Sequence, residues 1–469
     1  MKFALAKARI TPEQPVFLAG FGGRKTKREG VLDDIYAKTA LLQEGNMTLL
    51  VVTLDALGGD RSFMTGIRAA LKEAFGLNAE QILVNFSHTH FSMYLTGEEP
   101  TGRRGGYSMG QDHWPERDLD VDYSEDIEYY RRLRDQLVAL AAECYAKLEV
   151  GTLQAVQGTT AANISRRLTT AEGVGMRPNA KERIDRDLSV LQLTDRSGMM
   201  RGLLFSFACH PTSMSANQIS ADFVGEACTR LEAMHPGCTA LFLQGCAGDI
   251  KPSAGVNGDS FRSLSEMEMR EAGDTVAEEV NAVLASLPNP TQPAANRGGH
   301  WQAALRDVRL FTERWGAAEL EAIIADTQRN TAYRRRAASR ALKALQEGRV
   351  KREVPHIVQL WRFGEAATLV ALEGEVPSDY ALRIKSLFPD LAPVIVLGYS
   401  NGVSTYIPTE RILREGGYEA ESFILHGLRG PLVPENEALI VGTVALMKME
   451  LESSPAREKE GEQADAANK

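Results

Sequence analysis

Cysteine is scarce in this sequence, with five among 469 residues: Cys144, Cys209, Cys228, Cys238 and Cys246. An odd number without CxxC spacing excludes a disulfide framework and reads as reduced thiols of a cytoplasmic protein. Long apolar runs are missing as well. Nothing approaches the roughly 20 apolar residues of a membrane helix. The opening Met1-Lys2-Phe3-Ala4-Leu5-Ala6-Lys7 has too short an apolar core for an export signal. Positive charge is in deficit: 53 Lys and Arg against 62 Asp and Glu give a net charge of −9. That excludes nucleic acid as the main partner, because phosphate binding needs a basic surface. The turn Ala19-Gly20-Phe21-Gly22-Gly23-Arg24 lacks GxGxxG spacing and a preceding strand, which excludes a dinucleotide site. Residues 453–469 hold no apolar core and are expected to form a disordered tail behind a single domain over 1–452.

What remains alternates strand and helix. Apolar, partly β-branched runs at 36–42, 48–54, 81–84, 150–157, 188–193, 203–208, 240–243, 301–311, 357–361, 367–371 and 394–397 read as strands. Helical spacing covers 61–75, 126–148, 258–286, 316–348, 379–388 and 436–450. The fold class is α/β, or α+β: mixed central β-sheets flanked by helices, with a helical excursion near 313–352. The basic run Arg334-Arg335-Arg336 reads as a solvated face of that excursion. The stretch from Asn163-Ile164-Ser165-Arg166-Arg167 to Arg186 reads as polar loop. Its arginines either grip an anion or, as the commoner case, lie on the surface. The glycine-rich loop 91–118 is a candidate lid.

Several strands end in metal-ligand residue types. Gln81-Ile82-Leu83-Val84 runs into Asn85-Phe86-Ser87-His88-Thr89-His90. Two imidazoles at i and i+2 on extended chain point the same way. They are either seeded metal donors or two polar loop residues. The strand ending at Ala208 leads to Cys209-His210-Pro211-Thr212-Ser213, and that ending at Ala371 leads to Glu373-Gly374-Glu375. Asp55, at another strand end, is either a site-edge carboxylate or a helix cap, as Asp222 is for the following helix. His113, His235, His300 and His356 sit in polar or Pro/Gly-flanked segments and read as surface residues; His426 reads as structural. Two or three His with one carboxylate make a common catalytic zinc set that leaves a place for water.

Ser87-His88-Thr89-His90, Cys209-His210-Pro211-Thr212-Ser213-Met214 with Ile219-Ser220-Ala221-Asp222, Gln244 through Pro252, Gly374-Glu375, and Tyr406-Ile407-Pro408-Thr409 with Tyr418-Glu419-Ala420 follow one another as they do in the neutral/alkaline non-lysosomal ceramidases. The sequence resembles that family from about residue 5 to 450. The resemblance implies a zinc amidase holding one ion through His88, His210, Glu375 and Tyr406, with His90 and Arg166 lining the site. Asp249 and Tyr418, in the matching motifs, are expected to contact substrate. Two features depart from the family. Its G-D-x-S-P serine, which acts at the scissile amide, is replaced by Lys251 in Gly248-Asp249-Ile250-Lys251-Pro252. Its immunoglobulin-like C-terminal domain and export or membrane attachment are not expected here.

The expected activity is therefore cleavage of a small soluble amide or ester by metal-activated water, not of ceramide. His90 would move a proton or steady the oxyanion. Lys251 would either bind a substrate carboxylate, work that Arg166 can share, or face solvent. A metal-dependent esterase or lactonase, or a non-catalytic binding protein on the same fold, are the alternatives. No membrane partner is expected, and a homo-oligomer is compatible with the sequence.

Overall fold

The computed structural model describes residues 1–22, 24, 26–99, 122–287, 300–348, 353–389 and 393–453. Most of the expected lid, the proline connector at 288–293 and the tail from 454 lie outside these residues.

The strands are β1 (Lys2–Arg9), β2 (Tyr36–Glu44), β3 (Met47–Leu54), β4 (Ile82–Phe86), β5 (Glu149–Thr159), β6 (Asn163–Thr170), β7 (Gly173–Asn179), β8 (Asp187–Asp195), β9 (Met200–Phe207), β10 (Thr239–Gln244), β11 (Ile250–Pro252), β12 (Trp301–Phe311), β13 (Glu353–Phe363), β14 (Thr368–Leu372) and β15 (Val394–Leu397). The helices are α1 (Arg61–Phe75), α2 (Ser124–Ala146), α3 (Asp222–Met234), α4 (Glu266–Leu284), α5 (Ala317–Ala325), α6 (Ala332–Gln346), α7 (Ser378–Lys385), α8 (Glu410–Glu415), α9 (Tyr418–Glu421) and α10 (Glu435–Ser453). An eight-stranded mixed sheet runs β10-β9-β8-β5-β1-β2-β3-β4, and a four-stranded sheet runs β12-β13-β14-β15. A smaller sheet, β7-β6-β11, stands beside them.

The two large sheets lie face to face, with helices on both outer sides. Side-chain alternation shows why the strands are apolar on every residue. In β3, Leu50, Val52 and Leu54 join the core under α1–α4, while Leu49 and Val51 join the layer between the sheets. In β14, Leu369 and Ala371 enter that same layer, and Val370 and Leu372 pack toward α5, α6, α7 and α10. The mixed, helix-flanked sheets match the sequence expectation. Three parallel pairs, β3 with β4, β9 with β10, and β14 with β15, bring their C-terminal ends toward one region.

Five local expectations are corrected. The helix expected from 258 begins at Glu266, where Ser265 and Glu268 form a capping box that satisfies the free N–H groups of the first turn. The excursion is two helices, α5 and α6, and Arg334 of its basic run is an ion-pair partner of Glu421. The stretch toward Arg186 contains the β6–β7 hairpin; its start looks polar because its buried side chains pair with acids distant in sequence. Asp55 accepts from the Tyr36 N–H at 2.9 Å, and Asp60 is the residue that caps α1.

His356 is the fifth correction. It is buried on β13, not on the surface, and among the described residues neither ring nitrogen has a hydrogen-bond partner. Burial pushes its pKa down to about 3. The unfolded imidazole titrates near 6.5 and so binds more protons than the folded one across that interval, and stability falls as pH drops from about 6.5 toward 3. His356→Leu should remove this loss and gain about 2 kcal/mol over wild type at about pH 5 relative to neutral pH. Urea midpoints at the two pH values check this; parallel shifts in both proteins would contradict it.

Candidate metal centre

His88 follows the end of β4, His210 the end of β9 and Glu375 the end of β14, so each sits at the carboxyl end of a parallel strand. This is where α/β sheets open their sites. Two buried amides join these ends. Asn85 donates to the Gly398 carbonyl and Ser400 Oγ, both at 3.0 Å, and accepts from the Gln244 N–H at 2.8 Å. Gln244 Nε2 donates to the Ser87 carbonyl (3.0 Å) and the Cys209 carbonyl (2.7 Å). The two histidine-bearing loops are thereby locked to one side chain. His88 itself has φ +63°, a left-handed conformation that costs energy in a non-glycine residue and concentrates at functional sites.

Each ring is oriented by a carbonyl. His88 Nδ1 lies 2.6 Å from the Leu57 carbonyl oxygen, and His210 Nδ1 lies 2.6 Å from that of Ala247. A carbonyl only accepts, so both Nδ1 atoms carry the proton and both Nε2 atoms present lone pairs. Those lone pairs face Glu375: His88 Nε2 is 3.3 Å and His210 Nε2 3.4 Å from Oε2. Burial lowers His210 to about 3, which keeps it neutral. Burial alone would raise the Glu375 carboxyl; positive charge on its His88 and His210 side outweighs that and holds it well below the usual range. Among the described residues Oε2 has no hydrogen-bond partner. Acceptors at this spacing can hold a cation among them. Ligand atoms about 2.0–2.1 Å from a tetrahedral zinc stand about 3.3–3.4 Å apart, so the donor set fits zinc.

Tyr406 completes the ring. Its hydroxyl is 3.4 Å from His210 Nε2 and accepts from Arg166 at 3.1 Å. Its backbone bridges to that of Glu375. Burial drives the phenol well above its ordinary pKa despite Arg166. His90 lies inside the cluster, its Nε2 3.4 Å from His88 Nε2. His88, His90 and His210 offer nitrogens all within 4.8 Å of one another. Burial, reinforced by His88, holds His90 well below its usual pKa.

The structure brings most sequence-selected residues to this place. Arg166 and Arg167 are buried, against the surface expectation. Arg166 donates to Glu419 at 2.9 Å and to the Gly248 carbonyl at 2.7 Å, and Arg167 donates to the other oxygen of Glu419. Tyr418 is exposed at the rim, its ring 5.5 Å from that of Tyr406. Asp249 is turned elsewhere, with both oxygens held by Ser378 at the start of α7. Asp222, expected as a cap, opens α3 at φ +57° and is bound to Ser213.

Sequence reasoning passed over Asn85, Gln244, Glu419 and the glycine-rich turn. That turn packs on His90: Phe21 meets its ring edge-on at 4.8 Å, and Arg24 donates to its carbonyl. Gly20 has φ +97°, and a Cβ there would fall 2.4 Å from His90 Cγ. Gly20→Ala should therefore cost about 1–3 kcal/mol and lower turnover by displacing His90. Stability with kinetics checks this; unchanged values in both would contradict it. Only the glycine spacing hinted at the turn, and it does not say what the turn covers.

Geometry and donors together define a class: a two-sheet, helix-flanked domain with a buried His/Glu/Tyr cluster, able to hold a cation, at parallel strand ends. Its particular fold is that of neutral ceramidase. Among solved structures, neutral ceramidase from Pseudomonas aeruginosa superposes with a TM-score of 0.69 at 18% identity, over 96% of this chain and 74% of that one. A ceramidase complexed with C2 gives 0.69 and 18%, over 96% and 75%. No protein-family model matches the sequence, and no curated protein matches it. Among the described residues no helix is long and apolar enough to cross a membrane.

Proposed function

We propose that the protein is a zinc-dependent hydrolase that cleaves an amide bond of a small soluble substrate and is not a true ceramidase. The observation that carries this reading is the facing of His88 Nε2, His210 Nε2 and Glu375 Oε2 at 3.3–3.4 Å, with Tyr406 beside them. The shared fold with ceramidases supports it. When bound, zinc supplies Lewis acidity that polarises a carbonyl and brings the ionisation of water to about pH 7.

His88, His210, Glu375 and Tyr406 would hold the ion. His90, neutral and with Nδ1 unpartnered, takes a proton from the attacking water and returns it to the leaving amine. Tyr406, protonated and held by Arg166, donates to the oxygen that gains charge. Tyr418 borders the substrate entrance. Asp249 acts on α7 rather than on substrate. The five cysteines, all buried and unpaired, support a reducing, cytoplasmic setting; burial raises Cys228 to about 11 and Cys238 to about 12, which leaves them unreactive.

The test is metal analysis with turnover. Protein purified without chelator should hold about one zinc per chain, lose hydrolysis of N-acyl amides on chelation, and regain it with zinc. Matched esters and lactones in the same assay distinguish C–N from C–O cleavage. Full turnover by metal-free protein would sink the proposal, and zinc binding without turnover of any of these substrates would favour a binding protein.

A further inference from the structure

The proposed hydrolase leaves one charged group unexplained. Lys251 lies on β11 and pairs with Ile164 of β6. Cross-strand partners project to the same face of a sheet. Ile164 and Arg166, two residues apart, share that face too. Arg166 reaches the Tyr406 hydroxyl from it, so Lys251 is presented on the site side, diagonal to Arg166. Its Nζ stands 5.4 Å from the Phe261 ring. Among the described residues it has no hydrogen bond or ion pair. The acids nearby are committed elsewhere: Asp222 to the Ser213 and Phe223 N–H groups, and Glu419 to Arg166 and Arg167. Among the described residues Arg24 donates only to neutral carbonyls, those of Ala19, His90 and Ala216. The amine is largely buried, and that burial, with Arg166, lowers it to about 8.

Burying an ammonium group without a counter-ion is costly. Nature's usual remedy is an anion, and among the described residues no acid is hydrogen-bonded or ion-paired to this amine; Asp222 attracts it without contact and is itself held by Ser213 and Phe223. We infer that Lys251 is a specificity residue that receives a carboxylate of the substrate, so that the amides or esters this protein cleaves are acidic. This rests on the metal-hydrolase reading above. A charge-assisted contact of this kind gives about 10- to 100-fold in affinity.

Hydroxamates provide a test that needs no turnover. The zinc-loaded protein is titrated with the monohydroxamates of succinate and glutarate and with the neutral butyro- and valerohydroxamates. The acidic member of at least one pair should bind about 10- to 100-fold tighter. Lys251→Met should bring that ratio near one, and Lys251→Arg should restore much of it. Circular dichroism verifies folding, with Lys251→Gln as the substitute where the methionine variant does not fold. Equal binding of acidic and neutral members to wild type, or a ratio that survives loss of the amine, overturns the inference and leaves the hydrolase reading intact. Failure of every hydroxamate to bind overturns the metal reading and this inference with it.

Discussion

Replacing His88 with alanine is expected to weaken zinc binding by on the order of 10³-fold and to abolish hydrolysis. An affinity of the kind that reaches about 10–16 kcal/mol in structural zinc sites falls mainly to His88, His210 and Glu375, with the neutral Tyr406 phenol adding little, so each of the three carries about 3–5 kcal/mol, and 1.4 kcal/mol is a factor of ten. His88 has no other partner for Nε2 than this cluster, and its Nδ1 proton is committed to Leu57. The ring is therefore built to present one lone pair. His210→Ala should match it, because Ala247 orients that ring in the same way. Tyr406→Phe should behave differently: zinc content stays near one per chain, while kcat falls by about 10²-fold through loss of a donor to the developing charge. Zinc stoichiometry and single-substrate kinetics on the three variants separate these outcomes. Equal zinc retention by His88→Ala and wild type would remove His88 from the ligand set.

Glu419→Ala is expected to destabilise the fold by about 3–5 kcal/mol, the cost of leaving buried guanidinium groups without their counter-ion. Glu419 is 2% exposed and joins Arg166 and Arg167. Arg167 retains Glu415 at 3.1 Å, but Arg166 has no second carboxylate. It is also the group that donates to Tyr406, so hydrolysis should fall with stability. Replacing Arg166, Arg167 and Glu419 together by apolar residues of similar size should recover much of the stability without recovering activity. Denaturation midpoints and turnover of the single and triple variants check this. A single variant as stable as wild type would show that the charges are not paired as described.

The sequence by itself determined the strand-and-helix order, because apolar patterning is a local property of the chain. Helix α1 spans 61–75, the interval set by its spacing, with Asp60 and Gly76 as its terminal signals. His88, His210 and Glu375 were legible because each stands just past an apolar strand, and a strand end is where a side chain is both fixed and accessible. Tyr406, Arg166 and Lys251 were legible through motif order and not through their own surroundings. The burial of Arg166 and Arg167 runs against the surface reading for a physical reason: two arginines in a polar run look solvated unless the acid that pairs with them is visible, and Glu419 lies more than 250 positions away in sequence. His356 failed for the mirror reason, since its neighbours Val354 and Val358 show a buried face only once the strand's register is known. Tertiary structure alone decided which atoms meet. It brought three lone-pair donors to 3.3–3.4 Å, set Gln244 between the two histidine loops, pressed Gly20 against His90, and placed Lys251 beside Ile164 on the strand next to Arg166. Those facts depend on crossovers between distant strands, and no local pattern in the chain encodes them.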